Sequence, residues 1–312
     1  MKRSLIDILV CPFCLPEERR LKEDIHDENH GDIISGELVC EHCGRSYPVH
    51  DSIAFLQPEH PDEKRRGNRY ETGPLLSSYL WSHYSDILNE EGSHDSYIRW
   101  ADLMDNTPGM CLDIGCAVGR FAFEMSRKSG FVIGIDNSIS FIRAARELMI
   151  NRRKDVLLVE EGNLTREETL TLPVEWELTN VEFIVADALA LPFCSGAFST
   201  LSSLNIVDKV PFPMKHLTEV NRTAQANGAQ FLFSDPFSWS REAAEEEEWL
   251  GGRIEGNYSG WGMDNIIAIL KGLNGNISPA WTIKDQGYVW WKIRSHHNYF
   301  ELIRSCFIKA VR

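Results

Sequence analysis

The 312-residue sequence has no apolar run long enough to cross a bilayer, and its start lacks the segments of a secretion signal. Both absences predict a soluble, cytoplasmic protein with no membrane partner. Basic charge is scarce too: 32 Lys and Arg stand against 46 Asp and Glu, a net charge of −14. The first 60 residues hold 12 acidic and 6 basic side chains. A nucleic-acid reader presents a basic face. The basic clusters here, Lys64-Arg65-Arg66 and Arg152-Arg153-Lys154, read as solvated surface, so a nucleic-acid partner is disfavoured. There is no internal repeat, and the dinucleotide fingerprint is incomplete. G-x-G-x-x-G would need glycine at 115, 117 and 120, where the chain has Gly115, Ala117 and Arg120.

What stands at that point is a strand, a turn and a helix suited to a ligand without phosphate. The apolar stretch 110–112 ends in Asp113, passes through Gly115 and Gly119, and enters a helical segment. Small residues let the backbone approach a ligand closely, with amides at the helix start facing it. A second apolar strand, 131–135, ends in Asp136, where nucleotide-binding α/β folds set a carboxylate against ribose hydroxyls. Asp113 suits an ammonium on the same ligand. Further strands follow: 181–186 leads into Asp187-Ala188, 198–203 into Leu204-Asn205, and 229–234 into Asp235-Pro236. Helical segments at 141–151 and 214–225 alternate with them. This order predicts an α/β fold with a parallel sheet, helices on both faces and a ligand at the C-terminal edge. An ordinary strand-turn-helix is the bland alternative, and the succession of carboxylates argues against it.

Asp-x-Gly-x-x-x-Gly, then Asp136, then Asp187-Ala188, resembles the class I S-adenosylmethionine-dependent methyltransferases. The resemblance implies a Rossmann-like seven-stranded sheet, completed by the β-rich stretches 288–293 and 300–311. It implies S-adenosylmethionine as cofactor, bound by Asp113, Gly115, Cys116, Ala117, Gly119, Asp136, Asn137, Asp187, Ala188 and Ser203. Asp187 would accept from the adenine amino group and the Ala188 amide would meet the ring. The run Ser234-Asp235-Pro236-Phe237 is not the Asp/Asn-Pro-Pro-aromatic motif of amino-group enzymes, because it follows the fifth strand and has one proline.

Cys11-Pro-Phe-Cys14 and Cys40-Glu-His-Cys43 are two C-x₂-C pairs with 25 residues between them. Four thiolates so spaced suit a closed tetrahedral zinc site, structural because no open position is implied. Unrelated buried cysteines or a redox C-x-x-C fit the matched pairs less well. The first 60 residues are too few for a robust core, so Zn²⁺ should contribute to folding. His26, His30, His42 and His50 read as exposed loop residues, and Cys111, Cys116, Cys194 and Cys306 as reduced core thiols. Leu9-Val-Cys-Pro and Tyr47-Pro-Val-His-Asp-Ser-Ile make 4–57 resemble the small zinc-ribbon protein that activates several tRNA and translation-factor methyltransferases. That resemblance allows a protein partner at the ribbon. The polar, Pro-rich stretch 58–68 marks a linker. The expected organisation is a zinc ribbon at 1–60, linker and front helices at 61–106, and a methyltransferase domain at 107–312.

Four further segments narrow the acceptor. They are the helical pattern Tyr70-Glu71, Leu75-Leu76, Tyr79-Leu80, His83-Tyr84; the insertion at 160–164; Asn205 to Val210; and the pair 234–239 and 248–252. With the turn G-C-A-V-G-R at 115–120, they resemble the group assigned as 4-mercaptohistidine N-methyltransferases of ovothiol biosynthesis. The resemblance implies a small thiol- or imidazole-bearing acceptor. Tyr79, His83 and Tyr84 of the front helix, with Asn205 and Asp208 after the fourth strand, are candidates to shape its pocket, His83, Tyr84, Asn205 and Asp208 as the catalytic ones; Trp239 and His296 are further options. Tyr79 and His83, at i and i+4, suit core packing equally. Asp208 also suits a helix cap. Trp239, Trp249 and Trp261 suit plain burial, and Glu245 to Glu248 the end of an exposed helix. A tRNA, rRNA or protein methyltransferase with a built-in activator, and a non-catalytic zinc-bearing interaction protein, are the alternatives.

Overall fold

The computed structural model describes residues 1–58 and 69–312. The linker assigned to 58–68 and the cluster Lys64-Arg65-Arg66 thus lie, apart from Pro58, outside the described residues. Four short strands come first: β1 (Lys22–Asn29), β2 (Asp32–Val39), β3 (Ser46–His50) and β4 (Ile53–Leu56). Two helices follow, α1 (Gly73–Tyr84) and α2 (Ser96–Asp102). Then come β5 (Thr107–Ile114), α3 (Arg120–Met125), β6 (Ser129–Asp136), α4 (Ile139–Asn151), β7 (Arg153–Glu161), β8 (Leu164–Thr171) and β9 (Val181–Ala186). The chain closes with β10 (Thr200–Leu204), α5 (Pro213–Thr223), β11 (Gln230–Asp235), α6 (Gly262–Leu270), β12 (Thr282–His296) and β13 (Tyr299–Val311).

The expected seven strands form the order β9-β6-β5-β10-β11-β13-β12, parallel up to β11, with β13 and β12 antiparallel. Every residue of β9 and β11 is buried, as a parallel sheet covered on both faces requires. The sheet does not stop at β9. β4 pairs with it in parallel, Phe55 opposite Val185 and Leu56 opposite Ala186, so β4 to β1 extend one sheet to eleven strands. The insertion before β9 is a separate hairpin, β7 with β8.

The front strands are therefore fused into the main core. Leu9, Leu38 and Leu56 share a buried cluster with Ile133, Ile184 and Phe193, each such side chain contributing roughly 1.5–3 kcal/mol. Val10 N–H donates to Pro192 O at 3.0 Å and Cys194 N–H to Ile8 O at 2.9 Å. Arg146, in α4, pairs with Glu182 of β9 and lies 3.7 Å from Asp32 of β2, and Lys2 N–H donates to Glu182 at 2.6 Å. Breaking one partner of such a buried pair leaves an uncompensated charge.

Several smaller expectations change. Glu246–Glu248 is a single 3-10 turn rather than a helix end, since no apolar stripe holds it. His26 and His50 are exposed, but on β1 and β3. Cys194 and Cys306 are half-buried, while Cys111 and Cys116 are buried; all four are free thiols. Arg152 is no solvated surface residue: it ends α4 at φ 57° and donates to Pro173 O and Trp176 O. Trp261 does not serve plain burial, being 82% exposed. No helix of the described residues is long and apolar enough to cross a membrane.

Because β4 is part of the sheet, Cys40→Ser should lower the stability of the whole chain, by more than about 4 kcal/mol if the metal is lost with it. Zinc content and a thermal melt check this: one cooperative transition moved down is expected, not a selective loss of the front strands.

Candidate active site

The four cysteines of the two C-x₂-C pairs meet. Cys11 Sγ lies 3.7 Å from Cys43 Sγ, and Cys14 Sγ 3.8 Å from Cys40 Sγ. All four sulfurs lie within 4.8 Å of one another. A tetrahedron of sulfurs about 2.3 Å from a central Zn²⁺ has edges of about 3.8 Å, so the donors fit a structural zinc ion. The Tyr47 hydroxyl, 3.1 Å from Cys11 Sγ, adds a hydrogen bond to the cluster.

A cavity opens at the C-terminal edge of β5, β6 and β9. Asp113 sits there, 2% exposed, its Oδ1 accepting from Ser202 Oγ at 2.8 Å. Its Oδ2 has no partner among the described residues, and burial pushes its pKa up to about 7. The turn after it needs glycine: Gly115 has φ 70°, and a Cβ there would stand 2.1 Å from Ile206 Cδ1. The amides of Gly115 and Cys116 both donate to Ile135 O, at 2.8 and 2.9 Å. Asp136 accepts from Ala117 N–H at 3.0 Å and Ser138 N–H at 2.9 Å. Burial nonetheless raises its pKa to about 6. The amides expected to face a ligand at this turn are thus satisfied inside the protein, tying β5 to β6. Asp187 accepts from Leu189 N–H at 2.8 Å, which closes the turn after β9. Glu71 accepts from Ile139 N–H and Ser140 N–H, at 2.7 and 3.2 Å, and clips the entry of α1 onto the start of α4.

The opposite wall comes from α1, α2 and β12. Ser82 Oγ donates to Lys292 O and Ser96 Oγ to Trp290 O, each at 2.6 Å, which fastens both helices to the sheet's last strand. This brings His83 against Tyr97, ring centroids 4.3 Å apart, and Tyr79 against Phe141 at 4.7 Å. His83 is buried, and burial with the Arg120 charge pushes its pKa well down, so the ring is neutral.

Of the sequence-predicted residues, His83, Asn205, Asp113, Gly115, Cys116, Ala117, Asp136, Asn137, Asp187 and Ala188 line the cavity, as does Tyr79. Tyr84, Asp208, Gly119, Ser203, Trp239 and His296 do not. The Tyr84 hydroxyl donates to Val118 O at 2.6 Å inside the core. Asp208 is neither cavity group nor helix cap; its carboxylate accepts from Ser238 N–H at 2.7 Å and its amide donates to Asp235 at 3.2 Å. Ser203 Oγ bonds His216 Nε2 at 2.8 Å, and Gly119 starts α3 at φ 87°. Trp239 stacks toward Trp249, and His296 on Tyr299. Tyr97, Trp100 and Trp291 line the cavity but were not singled out. Their signals were present, an aromatic pair at i and i+3 and the alternation Val289, Trp291, Ile293.

Residues 2–52 match the family model of the Trm112p-like protein, and residues 112–232 match that of a methyltransferase domain. No curated protein matches the chain. Among solved structures, the YcgJ protein of Bacillus subtilis is 14% identical, with 70% of this chain and 98% of that one covered, at a TM-score of 0.46. An S-adenosylmethionine-dependent methyltransferase of Methanosarcina mazei is 18% identical, covering 65% and 92%, at 0.43. A complex of the Haloferax volcanii Trm112 methyltransferase activator with a candidate methyltransferase is 11% identical, covering 76% and 95%, at 0.44. The chain thus carries a Trm112p-like domain at its front and a methyltransferase domain behind it.

Proposed function

We propose that the enzyme methylates a small thiol- or imidazole-bearing metabolite, of which 4-mercaptohistidine is the type, inside the cavity between the sheet edge and the aromatic wall. The observation that supports this most is the lining: rings from α1, α2 and β12 (Tyr79, Tyr97, Trp100 and Trp291) share one cavity with the carboxylates of the sheet edge. Bound S-adenosylmethionine supplies an electrophilic methyl, taken by the acceptor's lone pair as the carbon–sulfur electrons return to sulfur. In this reading Asp136 holds the ribose, Asp187 and the Ala188 amide hold the adenine, and Asp113 pairs with the ammonium. Tyr79 and Tyr97 face the sulfonium with their rings. Neutral His83 and Asn205 orient the acceptor, and most of the rate gain is positioning. A neutral imidazole nitrogen needs no strong base.

A second reading keeps the chemistry and takes a tRNA, an rRNA or a translation protein as acceptor; it rests on the Trm112p-like match. In this chain β4, the strand that directly follows the matched segment, is already paired with β9. We infer that the domain serves its own catalytic domain, and that any outside protein partner meets another face of it. The net charge of −14 disfavours the nucleic-acid branch.

Calorimetric titration of the zinc-loaded protein with S-adenosylmethionine, then with 4-mercaptohistidine, tests cofactor and acceptor separately, with methyl transfer read by mass spectrometry. Cofactor binding without any response to the thiol-histidine would discard that acceptor and keep the enzyme. Asp136→Ala should weaken cofactor binding by about 1.5–3 kcal/mol; unchanged affinity would remove its ribose role.

Cofactor binding should also depend on pH. In the free protein burial keeps Asp113 protonated up to about pH 7 and Asp136 up to about 6. A ligand ammonium favours the ionised Asp113, so affinity should rise with pH up to about 7 and level off above it, with protons released on binding below that point. Repeating the titration in buffers of different ionisation enthalpy measures that release, and Asp113→Asn should abolish the part that ends near 7. The stability of the free protein runs the other way. Both folded pKa values lie above the ordinary 3.8, so the folded state binds more protons than the unfolded one. These two groups therefore destabilise the fold as pH rises from about 4 to about 7.

A further inference from the structure

The imidazole of His216 takes no part in the chemistry derived above, yet it touches the turn assigned to the adenine. It stands on α5, wholly buried, between the turn after β9 and the end of β10. Nδ1 lies 3.2 Å from Ala188 O, and Nε2 lies 2.8 Å from Ser203 Oγ. Ala188 and its neighbour Asp187 line the cavity; His216 and Ser203 stand behind them.

The partners of the ring fix its tautomer. Burial pushes the His216 pKa down to about 4, so the ring is neutral and carries one N–H. A carbonyl oxygen only accepts, so the proton sits on Nδ1 and is donated to Ala188 O. Nε2 is then the acceptor, and the Ser203 hydroxyl donates to it. The peptide between Ala188 and Leu189 is thereby held at both ends. Its carbonyl accepts from His216, and its N–H donates to Asp187 Oδ1 at 2.8 Å. That second bond ties the aim of the Asp187 carboxylate to the orientation of the peptide. Ser203 pairs with Ile114 at the end of β5, so the link runs on to the strand that leads into the Gly115 turn.

Two other residues of α5 grip the same loop further along. Glu219 accepts from Leu191 N–H at 2.9 Å, and Arg222 donates to Leu191 O at 2.8 Å and Phe193 O at 2.6 Å. Leu191 and Phe193 are buried outside the cavity lining, so these contacts secure the loop without reaching the site. Of the three, His216 alone holds a cavity residue. An apolar side chain of similar size would fill the same space. The imidazole supplies what packing does not, a fixed direction for one peptide.

We propose that His216 is a positioning residue for the purine end of the cofactor. By clamping the Ala188 carbonyl it aims the Asp187 carboxylate at the exocyclic amino group, and so sets the preference for adenine over a 6-oxopurine. This rests on the adenine role given to Asp187 and Ala188 above. An amino group donates to a carboxylate, whereas a 6-oxo group turns a lone pair toward it. Discrimination of that kind is strong where the recognising group is held in place.

The test uses the full-length, zinc-loaded protein, titrated calorimetrically with S-adenosylhomocysteine and with S-inosylhomocysteine, its 6-oxo counterpart. The unaltered protein should bind the adenine compound at least about tenfold more tightly. His216→Leu should lose about tenfold in affinity for S-adenosylhomocysteine and little for S-inosylhomocysteine, so that the preference shrinks. His216→Asn, whose amide can still donate to Ala188 O, should keep most of the preference. A merely structural role would lower the melting temperature and weaken both compounds alike. An equal loss of both in His216→Leu, or an Asn variant no better than the Leu one, would overturn the proposal. Nitrogen-15 NMR of the imidazole in the unaltered protein reads the tautomer directly, whatever the folding of a variant. A proton on Nδ1 is expected, and a proton on Nε2 would overturn the clamp. Equal binding of the two compounds by the unaltered protein would remove the adenine role of Asp187 and the proposal with it. Failure to bind either would refute the cofactor reading itself.

Discussion

The structure depends on a short piece of backbone pairing, Phe55 with Val185 and Leu56 with Ala186. Without it β9 would present an open edge of unpaired amides and carbonyls, a template for unwanted association. With it, a front domain too small for its own robust core borrows the core of the main sheet. The joint is polar as well as apolar: Arg146, Glu182, Asp32 and the Lys2 amide meet across it. It also reaches the site. β4 ends at Leu56, and the next side chain, Gln57, donates to the carbonyl of Asn137, a cavity residue, at 3.4 Å.

The same sheet edge sets the electrostatics of the cavity. Asp113 and Asp136 are held where burial disfavours their charge, the first accepting from the Ser202 hydroxyl and the second from backbone donors. A carboxylate in that state has its pKa moved into the working range. The cost of burying it falls when a cation arrives beside it. Conserving this arrangement is the task of the Gly115 turn, whose two amides grip Ile135 and whose missing Cβ leaves room for Ile206.

How much of this was legible follows from which interactions are local in sequence. The strands and the succession Asp113, Asp136, Asp187 were legible, because buried parallel strands are continuous apolar runs and each carboxylate follows one directly. The sulfur cluster was legible from the spacing of its pairs. The joint between the domains was not: nothing in Ile53 to Leu56 says which edge it will join. Tyr84 and Asp208 failed for a related reason. Tyr84 adjoins His83, yet one residue along α1 turns about 100° away and its hydroxyl meets Val118. Asp208 looked like a pocket carboxylate or a cap, but it braces the loop after β10 to the loop after β11. Asp208 and Asp235 each accept an amide from the other's loop. Burial and the Asp208 charge push the Asp235 pKa well up. A contact across 27 residues of sequence leaves no periodic trace.

That brace matters for the two unlike walls of the cavity. It holds the segment of Asn205, Ile206 and Lys209, which runs along the cavity beside the sheet edge. Asn205 is fixed there at φ 60° by its own amide on Ser234 O and by Ser305 Oγ, at 2.6 and 2.7 Å. One wall is thus built of carboxylates on strand ends and the other of rings on helices fastened to β12. A cation set between such walls would be held by carboxylates on one side and by ring faces on the other, two attractions of different range that do not compete for the same atoms.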